Sequence, residues 1–428
     1  MNDTSRAGRW AGLAMMVTAG ACAAGCAAGP PQAQATMRPA VAAHPAAVSS
    51  GLPAPGSRCR KHRLKLRPGE RVPAAYLAAV QFLSPASGVG VTESKISCMI
   101  GPGGGALEDM TPWPVVSADG GRTWRAAGGE LPRWLQPGVN RAQLAFAAPG
   151  AGWLTAGGAL AFTSDGGRHW RRVIPRAQVA ELASGGSIVA ALAVQRDGAI
   201  RVWRLSPGSS RHRQLPPVPG PPLSSQAGQV AAQSMAIAAR SGQLVLNVPG
   251  AAKDRLIAIG RTGRPWAPRT EPCLPGTGAD SNNPLAGFQA LVAAPGGLLG
   301  AVCGHGVGME KGVQSFLLSR DGGQTWQRRS AEVPGRADPS GMPFGDLAGV
   351  ASPAGPVFYI VTGEEVKTSI DGGSRWRSVV SPDIPGNGSF GAEFSFLGRR
   401  HGWLLLPGEG LLRTTNGRRW VVLGKLAR

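Results

Sequence analysis

The sequence is poor in the side chains that carry most enzymatic chemistry. Among 428 residues there are six histidines, six cysteines and two tyrosines, Tyr76 and Tyr359, and aromatic residues make up only 6%. No Cys-x-x-Cys or His-x-x-x-His spacing occurs, which argues against a structural zinc site; neither a metal nor a cofactor is expected. Acidic residues are scarce, 24 against 45 basic ones, so the net charge is +21, with Arg far outnumbering Lys. Beyond the first 25 residues there is no long apolar run and no helical period, so neither a spanning helix nor a helical domain is expected there. The Gly-rich strings add nothing: Gly101-Pro-Gly103-Gly-Gly-Ala106 contains Pro and opens no helix, and Gly386-Asn-Gly388-Ser389 lacks the Gly two before the Ser that a nucleophile elbow needs.

What the chain does have is one phrase used repeatedly. Ser117-Ala-Asp119-Gly-Gly121-Arg-Thr123-Trp124 returns at Asp165 and Trp170, at Asp321 and Trp326, and at Asp371 and Trp376; a copy one residue shorter closes the series at Asn416 and Trp420. Each residue type suits a hairpin turn. The Asp or Asn accepts backbone N–H groups two or three residues on, paired glycines supply positive φ, and the Trp opens the returning strand with a large apolar ring. None of this requires a ligand, so a structural role is assigned to each box.

Spacing counts the units. Asp119 to Asp165 is 46 residues, Asp321 to Asp371 is 50, and the gap from Asp165 to Asp321 is 156. That gap holds two worn copies, Val202 to Gly208 and Leu256 to Trp266. Seven units of roughly 50 residues match the length of a four-stranded propeller blade. Within the second unit the strands are expected at 143–147, 152–155, 159–163 and 170–174, and within the seventh at 393–397, 402–406, 410–414 and 420–423. The expected fold is therefore all-β, a seven-bladed propeller of four-stranded antiparallel blades over residues 58–428.

On these boxes the chain resembles the Asp-box or BNR-repeat propellers, the superfamily that includes sialidases, sortilin and the photosystem II assembly factors. The recurring Phe then Gly-Trp (Phe146 and Trp153, Phe394 and Trp403) is closer to the assembly-factor repeats. Resemblance to sialidases implies a retaining glycosidase with an arginine triad, a Tyr paired with Glu, and an Asp acid/base. Here Tyr359, Glu365 (or Glu364) and Asp109 are the residues that would have to serve, but no Arg is placed by motif and Tyr359 lies in the apolar strand Val357 to Val361. The main expectation is therefore a non-enzymatic binding or assembly module, with a sialidase-type hydrolase as the alternative.

Residues 1–25 read as a signal peptide, with Arg6 and Arg9 ahead of an apolar run from Trp10 to Ala21. Small residues before Cys26 look like a lipobox without its usual Leu; Cys22 is the alternative anchor, and simple cleavage with release is the third option. Residues 26–57, rich in Ala and Pro, read as a flexible tether. An exported chain meets oxidising conditions, and short separation favours Cys59 with Cys98 and Cys273 with Cys303.

Much of the Arg flanks the boxes: Arg122, Arg125, Arg168, Arg171, Arg172, Arg328, Arg329, Arg375, Arg377, Arg418 and Arg419. The box hairpins share one face in a propeller of this order, so that face is expected to be a ring of positive potential. It suits an anionic membrane surface, an acidic glycan or another envelope polymer, and nucleic acid is not expected outside the cell. A merely solvated arginine surface is the plain alternative. Candidate binding residues gather on the opposite face: Glu108 and Asp109, Trp113, Trp134, His305 and Glu364. Packing under long loops is the other reading of the two Trp. A protein partner is equally compatible, and the propeller itself is expected as a monomer.

Overall fold

Each repeat folds as four antiparallel strands laid side by side in chain order. A computed structural model describes residues 66–92, 99–100, 104–105, 112–135, 142–174, 178–185, 188–195, 197–220, 236–240, 243–248, 255–259, 265–273, 287–305, 313–331, 340, 342, 347–362, 365–379, 392–406 and 410–423. The chain divides into Met1–Ser57 and Arg58–Arg428, and all of these residues belong to the second unit. Among them there are six four-stranded sheets, one five-stranded sheet, a two-stranded ribbon (Met99–Ile100 with Gly104–Gly105) and no α-helix, so the blades number seven.

Blade 1 is made of Leu77–Phe82, Gly88–Thr92, Pro114–Ser117 and Trp124–Ala126, with Arg71–Val72 added outside as a fifth strand. Blade 2 comprises Gln143–Ala148, Ala151–Ala156, Ala159–Thr163 and Arg171–Arg172, close to the expected spans. Blade 3 comprises Gln178–Gly185, Ile188–Val194, Ile200–Leu205 and His212–Gln214; blade 4 comprises Ala236–Arg240, Gln243–Val248, Arg255–Ile259 and Ala267–Arg269. These two hold the worn copies. Blade 5 runs Gly287–Ala294, Leu298–His305, Val313–Ser319 and Gln327–Ala331; blade 6 runs Leu347–Ala354, Val357–Thr362, Val366–Ser369 and Arg377–Ser378. Blade 7 runs Glu393–Phe396, Gly402–Leu406, Gly410–Thr414 and Trp420–Leu423.

Antiparallel order puts the turns between strands one and two on the same face as the boxes, which join strands three and four. Backbone bonds tie the two turns together: Gly120 N–H to Ala86 O at 2.7 Å, Gly166 N–H to Gly150 O at 2.9 Å, and Gly372 N–H to Pro356 O at 2.9 Å. The first strand of each blade is the innermost. Those of blades 1, 2, 3, 5, 6 and 7 together line an axial cavity of about 460 Å³.

The Phe then Gly-Trp pattern has a steric cause. Phe146 lies directly opposite Gly152 and Phe396 opposite Gly402. A Cβ on either glycine would meet the facing ring at 2.3 and 2.4 Å, so only Gly lets the ring lie flat across the strand. In blade 7 the ring that does this is Phe396, not the Phe394 of the sequence pattern. Phe394 packs instead beside Tyr359 and Trp420.

Since blade 1 is wholly N-terminal and blade 7 wholly C-terminal, side chains close the ring rather than a shared strand. Phe82 stacks on Trp403 with ring centroids 3.7 Å apart, and Trp124, Leu405 and Leu411 bury their side chains around them. Phe82 N–H donates to Ser395 Oγ at 2.7 Å, and Val80 N–H to Glu393 Oε2 at 3.4 Å. The same device recurs along the axis. Gln81 exchanges two bonds with the backbone of Phe146, at 2.6 and 3.0 Å, and Gln143 Oε1 accepts Leu182 N–H at 2.6 Å. Polar side chains on inner strands thus satisfy backbone groups of the next blade, which would otherwise go unpaired at the channel wall.

Candidate functional site

The box carboxylates are engaged inside their own turns. Asp119 Oδ1 accepts Thr123 N–H at 2.9 Å and its Oδ2 accepts the Thr123 hydroxyl at 2.6 Å; Asp321 does the same with Thr325 and also takes Gln324 N–H at 3.0 Å. Asp165 takes His169 N–H at 3.0 Å and pairs with the His169 ring at 2.6 Å. Asp371 accepts Ser374 and Arg375 N–H at 3.0 and 3.1 Å. The reach is thus three or four residues in the full boxes. Only Asn416, in the shortened box, accepts from two and three residues on, Arg418 and Arg419, both at 2.9 Å.

The first residue of the phrase has a function that reading by type missed. Ser117 donates its hydroxyl to Asp119 at 2.9 Å while accepting Gly121 N–H at 2.9 Å. Thr163, Ser319 and Ser369 repeat both bonds. Gly120 and Gly121 take φ of 74° and 92°, which a side chain at either position would strain. Desolvation works against the charged form of these carboxylates, yet the hydrogen bonds prevail: those from Thr123 and Ser117 hold Asp119 below its usual value. Those from His169 bring Asp165 to about 2, and those from Thr325 bring Asp321 to about 2.

Tyr359 is placed as a strut. It is 1% exposed, and its hydroxyl donates to Gly417 O in the box of blade 7 at 2.8 Å. Burial raises its pKa, the opposite of what an activated nucleophile needs. Trp403 and Trp153 hold the same post: Trp403 Nε1–H donates to Gly120 O at 2.9 Å and Trp153 Nε1–H to Ser206 O at 3.0 Å, each in the following blade. Glu365 lies six residues on, past the end of the strand at Thr362, in the turn that joins the second and third strands of blade 6 at the end away from the boxes. There it pairs with Lys367 at 2.8 Å. The two residues required of a sialidase pair are therefore on opposite faces.

The remaining candidates divide. Trp113 is 7% exposed and belongs to the core between blades 7 and 1, so it presents no stacking surface. Trp134 is half-buried against Leu131 and Leu135, and the Arg172 guanidinium lies 5.8 Å over its ring. Glu108, Asp109 and Glu364 fall outside the described residues, as do Cys22, Cys26, Cys59 and Cys98. His305 ends the second strand of blade 5, its backbone paired with Val313. Cys273 and Cys303 form a disulfide that ties the end of blade 4 to blade 5. Among the described residues no group of three His, Cys, Asp or Glu could hold a metal.

Two surfaces remain. The axial cavity carries Gln81, Gln143, Glu181, Ser352, Glu393 and Ser395 and no basic side chain among its lining residues. The box face carries the arginines. Arg122, Arg125, Arg168, Arg171, Arg172, Arg328, Arg375, Arg377, Arg418 and Arg419 are all exposed. Arg329 is the exception, half-buried and donating to Asp371 O and Gly372 O. The ion pairs among the described residues, His169 with Asp165 and Lys367 with Glu365, include none of these arginines.

A family model of the BNR/Asp-box repeat matches residues 317–328, the box of blade 5 with the end of the strand before it. The chain is a seven-bladed β-propeller that carries the BNR/Asp-box repeat. Among solved structures this propeller is similar to an ancestral GH74 enzyme at 12% identity and a TM-score of 0.50, over 83% of this chain and 47% of that one. It is also similar to YCF48 bound to D1 peptide, at 16% identity and a TM-score of 0.49, over 82% and 96% of the two chains. YCF48 from Cyanidioschyzon merolae follows at 15% identity and 0.47, over 81% and 99%. No curated protein matches the propeller in sequence. Likeness at these identities is one of fold, and function must be argued from the site.

Proposed function

We propose that this propeller is an exported, lipid-anchored, non-enzymatic binding or assembly module. It acts at the outer face of the cell membrane, held by a lipidated Cys26 and the Ala/Pro-rich tether, and its partner is an anionic component of the envelope. One observation carries the reading: the box carboxylates are bonded within their turns while the arginines beside them stay exposed and out of the ion pairs. Charge of one sign without local compensation favours association with the opposite sign and raises its on-rate.

The test has two arms on the full chain. Palmitate labelling should mark the protein in cells and vanish in Cys26→Ser; label that persists, or that moves to Cys22, removes this anchor. Purified protein should be retained on vesicles containing phosphatidylglycerol and not on phosphatidylcholine, with retention weakening as salt rises through a Debye length of about 10 Å at 0.1 M. Equal retention on both lipids would remove the role given to the arginines.

A further inference from the structure

The outermost strand of a blade is an edge, with half of its backbone N–H and C=O groups turned away from the sheet. Seven such edges ring this propeller, and six of them are blunted. Blade 1 covers its own with Arg71–Val72, the added fifth strand in which Val72 pairs with Trp124. Blade 4 has Pro268 in its outer strand, where Pro supplies no N–H to a further strand. The other four present exposed charged or polar residues: Arg171–Arg172 in blade 2, His212–Gln214 in blade 3, Gln327 and Arg328 in blade 5, and Arg377–Ser378 in blade 6.

Blade 7 is the exception. Its outer strand, Trp420–Leu423, contains no charged residue, and Val421 and Val422 are 48% and 52% exposed. Val421 is opposite Arg413 and Val422 opposite Leu412, so the two valines stand on the two faces of the sheet, one to each side of the edge. The buried place in this strand is taken by Trp420, which packs edge-on against Tyr359. Exposed apolar side chains concentrate here. Of the five large ones among the described residues, Leu397, Val421 and Val422 lie in blade 7, and Tyr76 lies in the turn Ala74–Tyr76 that packs against its third strand.

Charge decides what can lie along this edge. Arg418 and Arg419 are exposed immediately before the strand, so a second copy of this chain, itself at +21, would bring like charge against like. Residues 26–57 of the chain hold no acidic residue and are interrupted by Pro, which suits neither the arginines nor a ladder. The matching occupant is an extended segment of another protein, apolar and β-branched at its centre and acidic where it passes the two arginines. We propose that the open edge of blade 7 is a docking site for such an acidic segment, which adds to the blade as a fifth strand beside Trp420–Leu423. Backbone pairing supplies the affinity, and contact with Val421 and Val422 selects the side chains. Blade 1 contains the same addition, made there by the chain itself. The site depends on neither the lipid anchor nor the membrane surface.

The experiment titrates the full chain with a short capped peptide of alternating valine and threonine that bears aspartates at both ends, with a lysine-ended peptide as reference. The aspartate peptide should bind, and the lysine peptide at least about tenfold more weakly. Val421→Lys with Val422→Lys should weaken the aspartate peptide about tenfold, although its two added positive charges would strengthen a purely electrostatic attraction. Gln327→Lys with Arg328→Lys, on the outer strand of blade 5, should change binding by less than about threefold. Absence of binding, or unchanged or tighter binding by the valine variant, overturns the site. So does a dimer of the chain that the valine variant dissolves, which assigns the edge to a second copy. If that variant fails to fold, amide hydrogen exchange on the wild-type chain decides: the aspartate peptide should slow exchange across Trp420–Leu423 and not across Gln327–Ala331. Equal slowing on both strands, or none, overturns the proposal. Retention on phosphatidylglycerol vesicles is measured separately, so failure of this site leaves the envelope reading standing, and the reverse.

Discussion

Blades 2 and 3 are neighbours with the same four-strand plan, and they differ at the turn between their last two strands. Blade 2 closes that turn with Asp165, bonded to Thr163 and His169; blade 3 closes it with backbone bonds around Pro207 and has no carboxylate there. The worn turn is still gripped from the preceding blade. Trp153 donates to Ser206 O of the worn turn, as Trp403 donates to Gly120 O and Tyr359 to Gly417 O of intact or shortened boxes. The comparison teaches that an aromatic donor reaching from the second strand into the next turn, as in blades 2, 6 and 7, works whether or not that turn keeps its Asp. The Asp refines the turn locally, and where it is lost backbone bonds alone close the turn.

The largest expected effect is at the grip. Trp403→Ala removes a fully buried ring stacked on Phe82 and should lower the unfolding free energy by about 3–5 kcal/mol in a denaturant titration. Trp153→Ala should cost a similar amount although it faces a worn turn; a loss under about 1 kcal/mol there would break the comparison. Next comes the carboxylate. Asp119→Ala is expected to cost about 1–2 kcal/mol, as for loss of a capping side chain, whereas Pro207→Ala in blade 3 should stay within about 0.5 kcal/mol.

Smaller still, Tyr359→Phe should cost about 1 kcal/mol, the loss of one hydrogen bond. It should leave hydrolysis of a fluorogenic sialoside at the background of the wild-type chain. Sialoside turnover that Tyr359→Phe abolishes would restore the hydrolase alternative. Acid sharpens the contrast last. With folded pKa values near 2, below the ordinary 3.8, Asp165 and Asp321 give stability that is complete above about pH 4 and is lost as pH falls towards 2. The melting temperature should fall through that window, and less so in Asp321→Ala; a pH-independent difference between the two chains would contradict the linkage.

Much of this architecture was legible because it is periodic. The strands expected in blade 7 at 402–406, 410–414 and 420–423 are the strands observed, and the two worn copies fall in blades 3 and 4. Glycine and Trp at set offsets report local geometry, which one sequence can carry. The clamps could not be read in this way. Gln81, Gln143 and Ser395 are ordinary polar residues on apolar strands, and their partners Phe146, Leu182 and Phe82 lie in the adjoining blades. The choice of Phe394 over Phe396 failed for a related reason: both fall on one face of a period-two strand, and only cross-strand register shows which opposes Gly402. Trp113 carried no sign of its burial, because a lone Trp near a loop reads the same whether it faces solvent or core. The arginines were legible as a bias of composition, but that they stand outside the ion pairs among the described residues is a fact of three dimensions.

The claim on which the rest depends is that this face works through charge the boxes leave unpaired. The most direct measurement is the affinity of the full chain for phosphatidylglycerol vesicles across a salt series. We predict a linear fall of log affinity with log salt, and a shallower slope in Arg375→Gln with Arg377→Gln. Binding that ignores salt, or no binding at the lowest salt, would contradict it.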